Sequence, residues 1–425
     1  MKASKYILTK ELGAGEIILF STFSTALVTL DREIYSEIFE QNNYSNKDVV
    51  KQLYDLGFLV TDDSQEQILE RLRVNEMGDK TPVLKIFTTN KCNARCYYCF
   101  EKGIKQIDMS PDTAIQVVSF IKANYPDKEL QINWFGGEPL YNFAVIDYIT
   151  TELCKEGYKL QTHITTNGSL ITQELIDFLK KYYEGISIQV TIDDVGIKYS
   201  KVKKYIDIPE ESAYERIINN VHLLLANNIS TRIRINFLKS KIDYAFEVYN
   251  TLSQEFQGES GLMIYFAPLS FDDDKADHEI EHTHLKLMKF YNSEKKVFDS
   301  GDEHKSLLTS LTLKPKSIPC GACRTSNFTI TADGQLFKCH RIAKFDYCNV
   351  GNVWEGHNRE SKYHQMFVSS DYISQKCKDC KVYPICRGGC TVVTHILNNQ
   401  DVTCAIYQKH QELIEMYYKR LLDSK

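Results

Sequence analysis

Lys91-Cys92-Asn93-Ala94-Arg95-Cys96-Tyr97-Tyr98-Cys99-Phe100 sets three cysteines apart by three residues and then by two. Such spacing makes a loop that can wrap a metal cluster. Three thiolates hold three irons of a [4Fe-4S] cube and leave the fourth without a protein ligand, whereas a cluster used only for electron transfer normally takes four cysteines. The open iron is a place for a substrate or cofactor to bind. Immediately upstream, Val83-Leu84-Lys85-Ile86-Phe87-Thr88-Thr89 reads as a strand, so the cysteines leave its C-terminal end, where chemistry sits in a βα-barrel. A structural zinc, or unrelated buried cysteines, is the competing reading of this loop taken alone.

The spacing, the aromatic Tyr98 before the last cysteine and the upstream strand resemble the radical S-adenosylmethionine (SAM) superfamily. The resemblance implies a cluster held by Cys92, Cys96 and Cys99, whose free iron is chelated by the amino and carboxylate groups of SAM. It also implies a 5′-deoxyadenosyl radical made by one-electron cleavage of the sulfonium.

From Thr81 onward strands alternate with helices, which predicts a parallel sheet with crossover helices. Ser110 caps a helix that has Pro111 at its first position and runs to Asn124. Gln131-Ile132-Asn133-Trp134-Phe135 is the next strand, and Gly136-Gly137-Glu138-Pro139 follows it directly. Glycines there admit close backbone approach, and the carboxylate can accept from an ammonium group. By resemblance this element takes the amino group of SAM; an ordinary turn is the alternative. Later strands are 162–168, 186–193, 231–237 and 263–268. Their polar ends make Thr166, Asn167, Gln189, Thr191, Asp193 and Asn236 candidates for the SAM or substrate pocket, by resemblance, with turn capping as the alternative. The acidic, histidine-bearing stretch from Phe271 to His284 reads as a solvated loop. The expected core is a partial (β/α)6 TIM-like radical SAM barrel over residues 81–305.

Residues 1–80 read as a separate small domain. Short strands at 6–9, 16–20 and 25–30, a helix after Asp31, a second helix from Lys47 to Leu56 and a returning strand at 58–61 fit a winged-helix-like module. In radical enzymes that modify ribosomally made peptides, a similar module captures the precursor's leader at an exposed sheet edge. A plain extension that stabilises the barrel is the alternative.

Residues 306–425 carry eight further cysteines in a framework: Cys320-x2-Cys323, Gly334-x4-Cys339, Cys377-x2-Cys380-x5-Cys386-x3-Cys390 and, after thirteen residues, Cys404. Two strands either side of Ala332-Asp333-Gly334 form a hairpin that returns Cys339 towards Cys323. The framework resembles the SPASM extension of radical SAM enzymes. By that family's crossed pattern Cys320, Cys323, Cys339 and Cys390 ligate one auxiliary [4Fe-4S] cluster and Cys377, Cys380, Cys386 and Cys404 a second, making three clusters in all. Two zinc sites of four cysteines each remain an alternative. Cys154 and Cys348 fit no cluster, although Cys348 could replace Cys320.

The chain's 425 residues exceed what one core usually serves. With 51 basic against 56 acidic residues and no long basic run, nucleic acid is excluded as the expected partner. No apolar stretch approaches the ~18 residues of a membrane span and no signal-peptide core opens the chain, so a cytoplasmic protein is expected. Thirteen cysteines in a reducing compartment argue for metal ligation. The resemblance implies an enzyme acting on a precursor peptide that has a leader and a cysteine-containing core, with a flavodoxin- or ferredoxin-type electron donor. Sulfatase-maturing members, which make formylglycine, typically place an aspartate directly after the cysteine matching Cys339. Here His340 and Arg341 stand there, a pattern closer to thioether-forming maturases, and either residue is a weak catalytic candidate able to supply positive charge. Carbon-carbon crosslinking, a non-catalytic iron-sulfur electron carrier and a leader-binding escort are the other readings.

Overall fold

The computed structural model describes residues 1–12, 15–78, 81–99, 101–269 and 315–398, with isolated helical positions at Thr283, Lys286, Leu287, Lys289, Phe290, Cys404 and Ile414. The expected loop from Phe271 to His284 lies, apart from Thr283, outside them. Contacts divide the chain into two units, one of Met1–Asp79, Phe271–Cys320 and Ser369–Lys425, the other of Lys80–Ser270 and Gly321–Val368.

In the first unit, β1 (Lys2–Ala3) pairs antiparallel with β5 (Leu59–Val60), and β2 (Ile7–Glu11), β3 (Glu16–Ser21) and β4 (Leu27–Asp31) form an antiparallel sheet in that order. A short helix α1 (Arg32–Tyr35) runs on as a π-turn, and α2 (Lys47–Asp55) starts where the Asn46 side chain accepts from Val49 N–H. Helix α3 (Ser64–Gly78) closes this stretch. Side chains alternate along β3, so Ile17 and Leu19 join Ile7, Val50, Leu53 and Phe58 in one core, while Ile18 and Phe20 join Leu8, Val382, Ile385 and Ile414 in another. The sheet is therefore buried on both faces, and the second face is covered by the cysteine-rich C-terminal stretch rather than by the N-terminal helices.

In the second unit six parallel strands, β6 (Val83–Thr89), β7 (Glu129–Gly136), β8 (Lys159–Thr166), β9 (Gly185–Thr191), β10 (Ser230–Phe237) and β11 (Leu262–Pro268), lie side by side in chain order. Their crossovers carry α4 (Pro111–Asn124), α5 (Phe143–Lys155), α6 (Gln173–Tyr182), α7 (Gly196–Lys203), α8 (Glu210–Ala226) and α9 (Ile242–Glu255). Ser110 caps α4 through Thr113 N–H, with Pro111 in the first turn. The fully buried Leu84, Ile86, Ile132, Trp134, Ile164, Val190, Ile233 and Ile235 pack on the helix side. Alternation then turns Lys85, Asn133, His163, Gln189, Arg232 and Arg234 to the lumen. The hairpin of β12 (Phe328–Ile330) and β13 (Leu336–Phe337) extends this sheet, β12 pairing parallel with β6 through Thr329 opposite Lys85. The result is a six-stranded partial barrel whose first strand gains a neighbour from the distant cysteine-rich segment.

Candidate active site

The cysteine loop is closed at its base. Asn90 N–H donates to Ile107 C=O at 2.8 Å, Met109 N–H to Thr88 C=O at 2.9 Å, and Asp108 takes Thr89 Oγ1 and Lys91 Nζ at 2.6 Å each. A register shift between Phe87 and Thr89 sets Gly136 opposite Thr89. The Gly-Gly turn is stapled there, with Gly137 N–H on Thr89 C=O at 3.0 Å and Glu138 N–H on Lys91 C=O at 2.9 Å. A Cβ on Gly136 would stand 2.1 Å from Thr89 O, and one on Gly137 2.3 Å from Lys91 O. Only glycine permits the approach.

Glu138 is fully buried. Its carboxylate accepts from Thr166 Oγ1 at 2.8 Å, Asn167 N–H at 2.8 Å and Leu140 N–H at 3.2 Å. Burial pushes its pKa up to about 7 in spite of those donors, so the group favours a cationic partner when ionised. Asn167 turns its amide to Asn93 Oδ1 at 2.8 Å and lies 3.9 Å from Cys92 Sγ. Three predicted pocket residues, Glu138, Thr166 and Asn167, thus converge on the cysteine loop.

Tyr98 points into a second cluster. Its hydroxyl donates to Asp193, Lys203 Nζ lies 2.8 Å from both that hydroxyl and Asp193 Oδ2, and Asn236 N–H donates to Asp193 Oδ1 at 2.9 Å. Burial works against the charge on Lys203, but Asp193 and Tyr98 overcome it and hold the ammonium well above its usual pKa. The backbone after α7 grips the loop as well: Arg95 N–H reaches Lys203 C=O at 2.7 Å, Ile206 N–H reaches Asn93 C=O at 2.9 Å, and Asn93 Nδ2 reaches Asp207 at 3.1 Å. Lys203, Tyr205 and Asp207 were not singled out from the sequence. Tyr199 and Lys203 are four apart on one face of α7 and both buried, a helical period that could have marked the lysine.

Gln189 and Thr191 stand on β9, Gln189 accepting from Tyr265 OH at 2.6 Å and Thr191 in register with Arg234. His340 packs on Phe135, its Nδ1 3.2 Å from Lys85 Nζ. Burial, then the charges of Lys85, Arg234 and Arg341, hold its pKa well below the ordinary value.

The donor set suits an iron-sulfur cluster. Burial and the nearby charges of Glu138, Cys96 and Cys99 push the Cys92 thiol up to about 12, so thiolates here gain from metal ligation. Glu101, two residues past Cys99, buries both carboxylate oxygens with no donor among the described residues. Among the described residues no three His, Cys, Asp or Glu side chains are already gathered about a single metal ion. In the first unit the Cys386 thiol, raised to about 12 by burial, also feels Cys377 and Cys380. Cys320 and Cys390 are exposed in that unit, and Cys404 is half-buried. In the second unit Cys323 is buried, Cys339 is half-buried and Cys348 is a core thiol with no exposure. Cys154 lies 3.6 Å from Tyr182 C=O.

Residues 86–243 match the model of the radical SAM superfamily. The chain carries a radical SAM domain. It is 24% identical, over 91% of its length and 89% of the relative's, to the radical SAM cyclopropyl synthase TigE of Paramaledivibacter caminithermalis. It is 23% identical, over 78% of its length and 95% of the relative's, to a cysteine-type anaerobic sulfatase-maturating enzyme of Clostridium perfringens. The solved structure of anSMEcpe with bound AdoMet and Cp18Cys peptide superposes with a TM-score of 0.62 at 17% identity, covering 81% of this chain and 99% of that one. Streptococcus suis SuiB bound to precursor peptide SuiA gives 0.53 at 16% identity, covering 94% and 98%. These likenesses establish the fold, and the six-stranded unit is the partial barrel of the radical SAM domain. No described helix is long and apolar enough to cross a membrane.

Proposed function

We propose that this protein is a radical SAM enzyme that modifies a ribosomally made peptide and installs a thioether between a cysteine sulfur and a carbon. Buried Glu138, held by Thr166 and Asn167 at the cysteine loop, carries the SAM reading. The near full-length similarity to a cyclopropyl synthase and to a sulfatase-maturating enzyme supports the substrate class. When bound, a [4Fe-4S] cluster and SAM supply a 5′-deoxyadenosyl radical that takes hydrogen from an unactivated C–H bond. Cys92, Cys96 and Cys99 would hold the cluster, and Glu138, with the backbone at Gly136, Gly137 and Pro139, would receive the ammonium of SAM. Asn167, Gln189, Thr191, Asp193 and Asn236 would line the pocket. Cys320, Cys323, Cys339 and Cys390, and Cys377, Cys380, Cys386 and Cys404, would hold two auxiliary clusters that drain an electron from the product, with a flavodoxin or ferredoxin as donor. The N-terminal sheet, with β4 at its edge, would receive the leader.

Mass spectrometry of a co-expressed precursor tests the product. A thioether lowers the mass by about 2 Da per crosslink and leaves its cysteine resistant to alkylation after reduction, because the sulfur is the atom joined. Ring closure between carbons, the second reading favoured by the likeness to TigE, gives the same mass change with every cysteine alkylatable. Loss of sulfur would indicate formylglycine and sink both. Absence of 5′-deoxyadenosine from reduced, reconstituted protein would leave the electron-carrier or escort readings.

A further inference from the structure

The hydrogen bonds around the barrel lumen share one polarity. Gln189 Oε1 accepts from Tyr265 OH at 2.6 Å, so its amide presents NH2 as the remaining face. Asn236 Oδ1 accepts from Arg234 Nε at 2.8 Å, and His340 Nδ1 lies 3.2 Å from the Lys85 ammonium. Asp193, the carboxylate at the end of β9, is engaged by Lys203, Tyr98 and Asn236 N–H. Gln189 Oε1, Asn236 Oδ1 and Asp193 are thus already accepting. Among the described residues Arg234 commits its Nε to Asn236, leaving the two terminal amino groups of the fork, the geometry that grips a carboxylate bidentately. Lys85 and Arg232 face the same lumen by strand alternation, and β10 sets Arg232 beside Gln189 and Arg234 beside Thr191. The positive field is corroborated at the lumen-facing His163, whose pKa burial and then Arg232 and Lys85 bring down to about 3.

We infer that the lumen is a carboxylate site, in which an anionic group of the substrate peptide, an Asp or Glu side chain or the C-terminal carboxylate, is seated on Arg234 with the Gln189 amide beside it. This rests on the peptide-modifying reading and adds a substrate class to it. A carboxylate entering there meets a charged fork in a low-dielectric setting, whereas its amide isostere brings an NH2 against donors. Discrimination between Asp and Asn follows from the wall itself.

The test uses the full-length, reconstituted protein with SAM and matched acetylated hexapeptide pools, amidated at the C-terminus and fixed at one position as Asp, Asn, Lys or Leu. Retention is read by ultrafiltration and mass spectrometry. The Asp pool should be retained about tenfold over the Asn pool, equivalent to about 1.4 kcal/mol. Arg234→Met should bring that ratio close to one, while Arg234→Lys, which restores a point charge, should recover part of it. A Leu pool with a free C-terminal acid, retained over its amidated counterpart, would assign the site to a terminal carboxylate instead of a side chain. Equal retention of all the acidic and neutral pools by the wild-type protein overturns the inference without relying on any variant. So does an Asp preference that survives in Arg234→Met, or a loss of SAM retention in that variant with the peptide ratio unchanged. The same preparation is assayed for 5′-deoxyadenosine. Its formation alongside a ratio of one refutes the carboxylate site alone, whereas its absence alongside a tenfold ratio refutes the radical reading and leaves the site standing.

Discussion

Replacing Lys203 by Met removes the cation of an ion pair whose two side chains are each only 3% exposed and 2.8 Å apart. At that separation and an effective dielectric of about 20, the attraction is about 6 kcal/mol. Desolvation of the ammonium offsets part of it, so the cost approaches the ~3–5 kcal/mol typical of breaking a buried pair from one side. For a unit of this size, that lowers the midpoint of thermal unfolding by roughly 6–20 °C. A double-mutant cycle with Asp193→Asn isolates the pair: Lys203→Met/Asp193→Asn should be less destabilised than the two single variants together by about 2–3 kcal/mol. The pH dependence separates charge from packing. Asp193 and Tyr98 hold the Lys203 ammonium well above its usual pKa, so its contribution to stability is fully present below the unfolded lysine value of about 10.4 and is lost as pH rises through the raised folded pKa. The deficit of Lys203→Met relative to wild type therefore stays level through neutral pH and shrinks once pH climbs beyond about 10.4, as measured by urea unfolding. A deficit that stays constant beyond that pH, or a strictly additive cycle, would refute the electrostatic account.

Gly137→Ala should disrupt the staple to the cysteine loop, since its Cβ would lie 2.3 Å from Lys91 O, and iron bound by the loop, followed by electron paramagnetic resonance, should fall steeply. Cys96→Ala should abolish 5′-deoxyadenosine formation while iron on the C-terminal cysteines persists; retained formation would end the radical reading. Phe20→Ala should destabilise the first unit by about 3–5 kcal/mol and raise hydrogen exchange around Val382 and Ile385, its partners across the sheet.

What the sequence determined by itself was local. The cysteine spacing, the strand before it, the Gly-Gly-Glu-Pro turn, the capped helix at Ser110 and the hairpin at Ala332–Gly334 are all short-range patterns of ligand type, turn chemistry and periodicity, and each was legible without coordinates. The polar strand ends at Thr166, Asn167 and Asp193 could be named as pocket candidates for the same reason. Only tertiary structure decided that Thr166 and Asn167 clasp Glu138, that Lys203 rather than any neighbouring lysine is buried against Asp193 and Tyr98, and that His340 packs on Phe135 beside Lys85. Those facts depend on which side chains from separate strands share one enclosed volume, because burial and the fields of non-local charges set protonation, and no local pattern encodes either. The N-terminal sheet shows the same division: alternation along β3 announces two apolar faces, but the partners of the second, Val382 and Ile385, lie more than 350 residues further along the chain.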